Sequence, residues 1–324
     1  MRRSSNRRLD HFDAWYQLVA SYCHRDLSFL SDKLPAVAGL ASVMQANYQG
    51  TYGAGLWKED LQIGLVWYIE CHEQDSNGTT NAPARSLSED YIAPSLSWAS
   101  IAKGKIAFCD HEENGRDLPS EGLQTIDWDI DYAPGSLAPF GEVKSGTLTV
   151  RGYLCKASLI PCWDKWSYEG PNHRHHNARW RGHAADPDNG QPFGDVALDS
   201  FRTYNTLYRA FEGAATDLES SMHCDYSTNR YYYKCRSCTS TQTRRAQPET
   251  LWYMSKAQPI WTMLCLVREK YGHRQLVALV LTPCDDGNRT FRRIGLLFVD
   301  NEHAFKNWME PGELHKCFQT VQIV

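Results

Sequence analysis

The apolar positions near the N-terminus follow the spacing of a helix with one buried side. They are Phe12, Trp15, Tyr16, Val19, Tyr22 and Cys23. Spacing of i, i+3, i+4 and i+7 places such side chains on one face of a helix. Burial of each is worth roughly 1.5–3 kcal/mol, which exceeds what local propensity supplies. We therefore expect packing to stabilise this helix.

A second pattern of the same period follows at Leu34, Val37, Ala38, Ala41, Met44 and Tyr48. If Asp32 caps this helix, Pro35 falls in the first turn, where backbone N–H groups lack intrahelical partners. Glycines at 50, 53 and 55 end the pattern, and a third short helix is predicted with Leu61, Leu65 and Tyr68 on one face.

These three patterns predict a helical cluster over residues 10–72, preceded by a disordered basic tail at residues 1–9. The helices have no other partner for their apolar faces, so we expect Trp15, Leu40 and Leu65 to be buried in one contact network. The free face of such a cluster must pack on something else.

The chain changes character after residue 90. Residues 73–90 are polar, contain Gly, Pro and Ser, and predict an exposed linker. Strand patterns follow at 146–154, 260–267, 276–281 and 291–299, and a bent strand or hairpin is predicted around Lys103-Gly104. The turn sequence PCDDG at 283–287 predicts a C-terminal antiparallel hairpin.

The predicted fold class is therefore α+β. A small N-terminal helical cluster packs on a larger, mainly antiparallel β domain over residues 91–324, with long loops at about 155–250. An isolated hairpin is marginal in water. We therefore expect residues 91–100 and the hairpin at 276–299 to belong to one domain.

Composition narrows the class of protein. Hydrophobic residues make up 42% of the 324 residues and charged residues 22%, which is typical of a soluble globular protein. The net charge of −4 argues against a nucleic-acid-binding surface. No apolar run is long enough to span a membrane, and the N-terminal MRRSSNRR is not followed by the apolar region of a signal peptide. We therefore expect a cytoplasmic protein whose eleven cysteines are reduced thiols.

The densest polar cluster is NHRHHNARWRGH, which contains His173, His175, His176 and His183. Imidazole suits zinc or copper, but a metal site needs three or four converging ligands. No carboxylate accompanies these histidines at motif spacing. An exposed loop is the competing interpretation, and the sequence favours it.

A second candidate metal site is the C-x-x-C pair Cys235 and Cys238, with His223 and Cys224 upstream. Four converging ligands would be needed for structural zinc, and the usual finger spacing is missing. A loop with free thiols is the favoured interpretation.

Alternating carboxylates occur at Asp127, Asp129 and Asp131, in DWDID. Paired carboxylates can do acid–base work when they face each other, whereas three on one strand face more often form a solvated surface. No phosphate loop, nucleophile elbow or H-E-x-x-H motif occurs. The sequence therefore predicts no catalytic residue and no cofactor.

Several short sequence motifs, called words below, occur in a fixed order in the first hundred residues. They are Trp15, Leu18-Val19, and the words at 22–27, 32–41 (DKLPAVAGLA), 52–57 (YGAGLW), 65–67 (LVW) and 91–100 (YIAPSLSWAS). They resemble the segment that follows the core of fungal heterokaryon-incompatibility (HET) domain proteins, and residues 276–298 are similar to the closing strands of that family. The N-terminal HET core motifs occur nowhere in the 324 residues.

This resemblance implies a role in nonself recognition between fungal hyphae and in cell-death signalling. Because the core motifs are missing, no nucleotide-cleaving activity is carried over. The expected function is a non-catalytic recognition or regulatory module, with a HET-core protein or a second copy as its partner. Two alternatives remain open: a divergent enzyme with a biosynthetic tailoring role that uses the β-rich domain, and an inactive truncated fragment.

Overall fold

The computed structural model combines short N-terminal helices with a larger set of mainly antiparallel strands, so the predicted α+β class is confirmed. It describes residues 2–23, 25, 27–70, 91–101, 105–109, 123–136, 138–162, 181–185, 187, 192–199, 220–225, 230–235, 258–270, 273–284, 287, 289–299 and 317–324. The predicted linker at 73–90 lies outside these residues.

The first helix, α1, spans Arg2–Tyr22 and buries Phe12, Trp15, Tyr16 and Val19, as its apolar spacing predicts. Residues 2–9, predicted as a disordered tail, are instead the first turns of α1. Once the packed turns have formed, each added residue requires only helix propagation. Arginine and leucine are good helix formers, so the helix extends toward the N-terminus.

The second helix, α2, spans Ala38–Tyr48 and differs from the prediction in two ways. Asp32 does not cap it, because two 3-10 helices, at Leu30–Asp32 and Pro35–Val37, precede it. Leu40 is 54% exposed, so the prediction that it is buried is wrong. Val37 and Ala41 define the inward face, and in an α-helix Leu40 is rotated by about 100° from Ala41.

The segment after α2 is only partly helical. Strands β1 (Tyr52–Gly53) and β2 (Leu56–Trp57) form a tight hairpin, and a 3-10 helix at Lys58–Asp60 leads into α3, which spans only Leu61–Gly64. Tyr68, predicted on the face of that helix, lies in strand β3 (Trp67–Glu70). The run VWYI favours a strand because its residues are aromatic and β-branched.

The bent strand or hairpin predicted around Lys103-Gly104 would run from Trp98 to Phe108. Strand β4 (Lys105–Phe108) pairs instead with β3, and Trp98–Ser100 form a 3-10 helix. Ser97 caps it, because its hydroxyl accepts a hydrogen bond from the Ala99 amide at 3.0 Å. Residues 102–104 lie outside the described part of the chain.

The remaining elements are strands. They are β5 (Gln124–Tyr132), β6 (Val143–Cys162), β7 (Arg181–Ala185), β8 (Pro192–Leu198), β9 (Ser220–Asp225), β10 (Arg230–Cys235), β11 (Gln258–Lys270), β12 (His273–Pro283), β13 (Thr290–Val299) and β14 (Phe318–Ile323). All four strands predicted by pattern are confirmed, as is the hairpin of β12 and β13.

Two expectations about this region are wrong. The region predicted as long loops, about 155–250, contains the end of β6 and all of β7 to β10. The C-terminal hairpin is followed by a further strand, β14. Short strands such as RGHAA carry no alternation of their own, and their hydrogen bonds to neighbouring strands decide their conformation.

Six strands close into a ring through the pairings β6–β11, β11–β12, β12–β13, β13–β8, β8–β7 and β7–β6. All of these pairings are antiparallel. Strand β14 lies between β13 and β6 at one end, and β5 pairs with β6 on its other edge. Strands β9 and β10 form a separate hairpin.

The strands of the ring carry two apolar clusters, one on each face. The inner cluster comes from ring strands alone: Tyr153, Ala157, Leu159, Ala184, Val196, Leu198, Ile260, Leu264, Leu276, Ala278, Val280, Leu297 and Val299. The outer cluster joins strand residues such as Leu154 and Leu279 to the helical residues Trp15 and Leu65. The helices therefore cover one outer side of the ring, which confirms that Trp15 and Leu65 share a contact network.

Candidate functional site

The words that carry the family resemblance converge on one buried region between the helices and the outer face of the ring. We call this region the junction. It comprises Trp15, Lys33, Ala54, Gly55, Trp67, Ser95, Leu96, Ser97, Trp98, Asp199 and Arg293. Its polar groups are described from the N-terminal side toward the ring.

The turn between β1 and β2 accepts several of the hydrogen bonds. The Gly55 carbonyl accepts one from Trp15 Nε1 at 3.2 Å and one from Trp98 Nε1 at 2.8 Å. Ser97 Oγ donates to the Ala54 carbonyl at 2.5 Å. Both turn residues have positive φ, 49° at Ala54 and 85° at Gly55, as in a type I′ turn.

Glycine is required at position 55 because of its positive φ, and also because of the space that it leaves for Trp98. A Cβ atom there would lie 2.6 Å from Trp98 Nε1. The indole therefore approaches the backbone more closely than any other residue at this position would allow. The word YGAGLW thus encodes a hairpin turn and a docking place for two tryptophans.

Lys33, from the word DKLPAVAGLA, is a buried cation. Its ammonium group donates to the Ile101 carbonyl and lies 5.7 Å from the centre of the Trp98 ring. Burial lowers the pKa of Lys33, and the nearby Cys23 opposes that shift. The same burial raises the pKa of the Cys23 thiol to about 11. Lys33 thus links the 3-10 helix at Leu30–Asp32, which it directly follows, to Ile101, which directly follows the 3-10 helix at Trp98–Ser100.

Arg293 of β13 reaches from the ring into the junction. Its side chain is fully buried and pairs with Asp199, with Nε 3.0 Å from Oδ2 and Nη2 3.3 Å from Oδ1. Nη1 donates to the Leu65 carbonyl at 2.7 Å, and Nη2 also donates to the Trp67 carbonyl. The guanidinium lies 3.5 Å from the centre of the Trp67 ring.

The electrostatics of this pair follow from its burial. Desolvation raises the pKa of Asp199 to about 6, while the charge and hydrogen bonds of Arg293 oppose the shift. Desolvation likewise lowers the pKa of Arg293. The carboxylate and guanidinium remain the charged forms at neutral pH, and each supplies the partner that the other needs in a dry environment.

Ser95 connects the junction to the C-terminal strand. Its Oγ accepts a hydrogen bond from the Arg293 amide at 3.0 Å and donates to the Val324 carbonyl. The Ser95 amide donates to the same carbonyl at 3.3 Å. Trp67 Nε1 donates to the Leu96 carbonyl at 2.9 Å. The segment 91–100 therefore contacts the hairpin at 276–299, as expected.

The chemistry of the junction is structural. Its indole, hydroxyl, ammonium and guanidinium donors are directed at backbone carbonyls or, for Arg293, also at a buried carboxylate. Groups held in this way fix the relative positions of chain segments that are distant in sequence.

The sequence-predicted metal candidates lie elsewhere. His223 is in β9 opposite Tyr232, Cys235 ends β10 opposite Ser220, and His183 is in β7 opposite Ile160. His173, His175, His176 and Cys238 lie outside the described residues, so both metal alternatives stay predictions. In the described part of the chain, no group of three or more His, Cys, Asp and Glu could hold a metal ion.

The three aspartates of DWDID lie on β5, and all three are exposed. Lys144 Nζ is 3.6 Å from Asp131 Oδ2, with both side chains more than half exposed. Such a pair contributes about 0–1 kcal/mol. Within the described residues β5 pairs only with β6, and charges along an edge strand discourage pairing with other chains. The solvated interpretation of these residues fits this position.

Sequence reasoning missed Arg293 and Asp199. Arg293 lies two positions after the buried Phe291, so both side chains are on the outer face of β13, and the register of the strand shifts at Ile294. An arginine in phase with a buried phenylalanine was the available signal of a buried cation, although the shift at Ile294 interrupts the pattern. Asp199 carries no such signal, because it follows the short strand β8 and meets Arg293 only through the closed ring.

Comparison of the chain with family models, curated proteins and solved structures finds no match. Of the described helices, none is long and apolar enough to cross a membrane.

Proposed function

We propose that this chain is a non-catalytic recognition or regulatory module of the HET type, which binds a HET core domain through the exposed apolar side of α2. The observation that carries the proposal is Leu40. It belongs to the same word as the buried Lys33 and Leu34, yet it is 54% exposed. The core of the molecule does not use it, so a contact with another protein would explain why an apolar residue stands there.

The neighbouring residues support the same use of this helix. Val43, one turn after Leu40, is 61% exposed. The sequence of α2, AGLASVMQANY, contains no charged residue over its eleven positions. A helix with one side in solvent usually carries charged side chains there. The uncharged exposed side suits an apolar protein surface and does not suit nucleic acid.

The resemblance suggests the occupant. In HET proteins the similar segment follows the core, so its N-terminal helices, α1 and then α2, are the helices of this segment that come first after the core in the chain. A core domain that packs against α2 would cover Leu40 and Val43. The signalling context is then that of the family: nonself recognition in fungi and cell death on incompatible fusion.

The test is a binding titration between the full chain and a purified HET core domain. Leu40→Asp with Val43→Asp should weaken binding at least ~10-fold, which corresponds to about 1.4 kcal/mol. Ser42→Asp is the control for added charge, because Ser42 is exposed on the same helix and the substitution adds one of the two negative charges that the double variant adds. It should leave the affinity nearly unchanged.

Light scattering on the chain alone separates the other outcome. A dimer that the double variant converts to a monomer would mean that a second copy occupies α2, and the HET core would then be the wrong occupant. No binding by the unsubstituted chain, or equal binding by the double variant, would overturn the proposal.

A pocket that gathers Asp127 and Asp129 with the histidines would favour the divergent-enzyme alternative. The exposure of both aspartates on β5 does not support that arrangement. Zinc content after growth and purification with controlled metal tests it directly. We expect no stoichiometric metal. Zinc lost with Cys235→Ser and Cys238→Ser would establish a structural site, and zinc lost with changes at His173, His175 and His183 would favour the enzyme.

A further inference from the structure

Strand β6 exchanges one neighbour for another along one of its edges. Residues 148–153 pair with β14, whereas residues 158–162 pair with β7. Between them, residues 154–157 have no strand partner on this edge within the described chain, although their other edge pairs with β11. We call this gap the fork. Cys317 lies at the fork, because it immediately precedes β14.

Two thiols meet at the fork. The Cys155 side chain is buried and is hydrogen-bonded to the thiol of Cys317, which is half-buried. The start of β14 is held against β6 at the same place. Phe318 pairs with Tyr153, and their ring centres are 5.0 Å apart. The Arg151 guanidinium lies 4.9 Å from the centre of the Phe318 ring.

This placement brings two cysteines together on adjacent strands, where a disulfide can form. A disulfide joins residues whose Cα atoms are about 4.4–6.8 Å apart, a separation typical of neighbours on adjacent strands. Cys317 adjoins the residue paired with Tyr153, and Cys155 is two positions further along β6. The interaction between the two thiols means that their sulfur atoms are neighbours.

We propose that Cys155 and Cys317 form a redox-responsive pair, which a hydroperoxide joins in a disulfide across the fork. The remaining described cysteines do not share this combination of a thiol–thiol hydrogen bond and partial exposure at one partner. The proposal is independent of the HET resemblance.

The reaction has two balanced steps. The Cys317 thiolate attacks one oxygen of hydrogen peroxide, the O–O bond breaks, and the departing hydroxide takes up a proton as water. Cys317 is then a sulfenic acid. Cys155 sulfur attacks that sulfur, the S–O bond breaks, and a second water leaves with the proton from Cys155. Two thiols and one peroxide thus give one disulfide and two waters.

The environment of each thiol sets this order. Burial raises the pKa of Cys155, and the adjacent Cys317 raises it further. Because the thiolate is the nucleophile, the buried Cys155 is disfavoured as the first site of attack. The more accessible Cys317 reacts first, and the second step should accelerate as pH rises.

The expected consequence is a clamp on β14. The bond would close a loop that runs from β6 to the residue before the last strand, which constrains the unfolded chain. The far end of β14 is already tied to the junction through Ser95 and the Val324 carbonyl. Oxidation would therefore fix both ends of the strand.

The experiment treats the full chain with hydrogen peroxide, blocks the remaining thiols with a maleimide, and maps crosslinked peptides by mass spectrometry. We expect a Cys155–Cys317 pair two hydrogens lighter than the separate peptides. We also expect the thermal unfolding midpoint to rise by roughly 5–10 °C. A reductant should reverse both changes.

Cys317→Ser should abolish the crosslink and the shift in midpoint, and Cys155→Ala should do the same. Cys284→Ser is the matched control, because Cys284 is an exposed thiol with no described role at the fork; it should change neither readout. The proposal is overturned if Cys317 is oxidised while Cys155 keeps its maleimide label. A crosslink without a change in midpoint would overturn the clamp.

Discussion

The inside of the strand ring and the junction on its outside are both buried, but they are built in different ways. The inner cluster consists of apolar side chains, such as Leu159, Ala278 and Leu297, contributed by six strands. The junction places Lys33, Asp199 and Arg293 among tryptophans and buries them as completely. The ring interior therefore depends on volume, whereas the junction depends on the position of individual hydrogen-bonding atoms.

This difference explains where recognisable words occur in the sequence. An apolar interior accepts many combinations of residues with the right total volume. A glycine carbonyl that receives two indole N–H groups accepts very few. The exact wording of YGAGLW and YIAPSLSWAS is thus accounted for by packing and hydrogen bonding, without any catalytic role for these residues.

The largest expected effect is the loss of the buried guanidinium. Arg293→Met leaves the Asp199 carboxyl and two backbone carbonyls without their donor. Removing one partner of a buried ion pair costs about 3–5 kcal/mol, which urea unfolding would measure. The exposed pair provides the control: Lys144→Met should cost less than about 1 kcal/mol. Equal costs for the two variants would mean that the junction is not the electrostatically demanding region.

A pH dependence sharpens the same comparison. The pKa of Asp199 is about 6 in the folded protein against an ordinary value of 3.8. Between these pH values Asp199 holds a proton in the folded state and has released it in the unfolded state. The contribution of Asp199 to folding stability therefore falls as pH rises from about 4 to 6. The size is on the order of 3 kcal/mol.

The measurement compares unfolding free energies of the wild type and of the double variant Asp199→Leu with Arg293→Met across this range. The double variant removes both charges, so other carboxylates cancel in the difference. A difference that stays constant from pH 4 to 6 would contradict the assigned direction for Asp199.

Local patterns predicted the elements better than their arrangement. The strands at 260–267, 276–281 and 291–299 were readable because each is a short apolar run bounded by polar or turn residues. Closure of the ring could not be predicted from the sequence, because it depends on strand pairings such as that of Cys155 with Thr262, which are more than a hundred residues apart. Leu40 was misplaced for a different reason. When a helix begins after a 3-10 turn, the position of its first residue determines which side chains face inward. The sequence of this segment does not reveal that position.

A smaller effect distinguishes hydrogen bonding from volume. Trp98→Phe removes one of the two donors to the Gly55 carbonyl and leaves a small cavity, at a cost of about 2–3 kcal/mol. Leu264→Met, in the ring interior, keeps the volume and should cost about 1 kcal/mol or less. Chemical denaturation of both variants tests the contrast. A ring interior that is more sensitive than the junction would reverse the comparison.

The smallest expected effect belongs to Leu40, and it separates stability from binding. Leu40→Ala removes a side chain that is mostly in solvent, so the free energy of unfolding should change by no more than about 0.5 kcal/mol. Leu34→Ala is the matched control, because Leu34 is 2% exposed in the same word and its loss should cost about 2–5 kcal/mol.

If a HET core domain covers α2, Leu40→Ala should weaken that binding while stability stays unchanged. A large loss of stability would instead place Leu40 in the core, as its sequence context first suggested, and would remove the observation on which the proposed binding surface rests. Unchanged stability with unchanged binding would leave Leu40 as an ordinary exposed leucine, and α2 would not be the contact surface. The two measurements on one variant therefore decide whether this helix belongs to the folding core or to an interface.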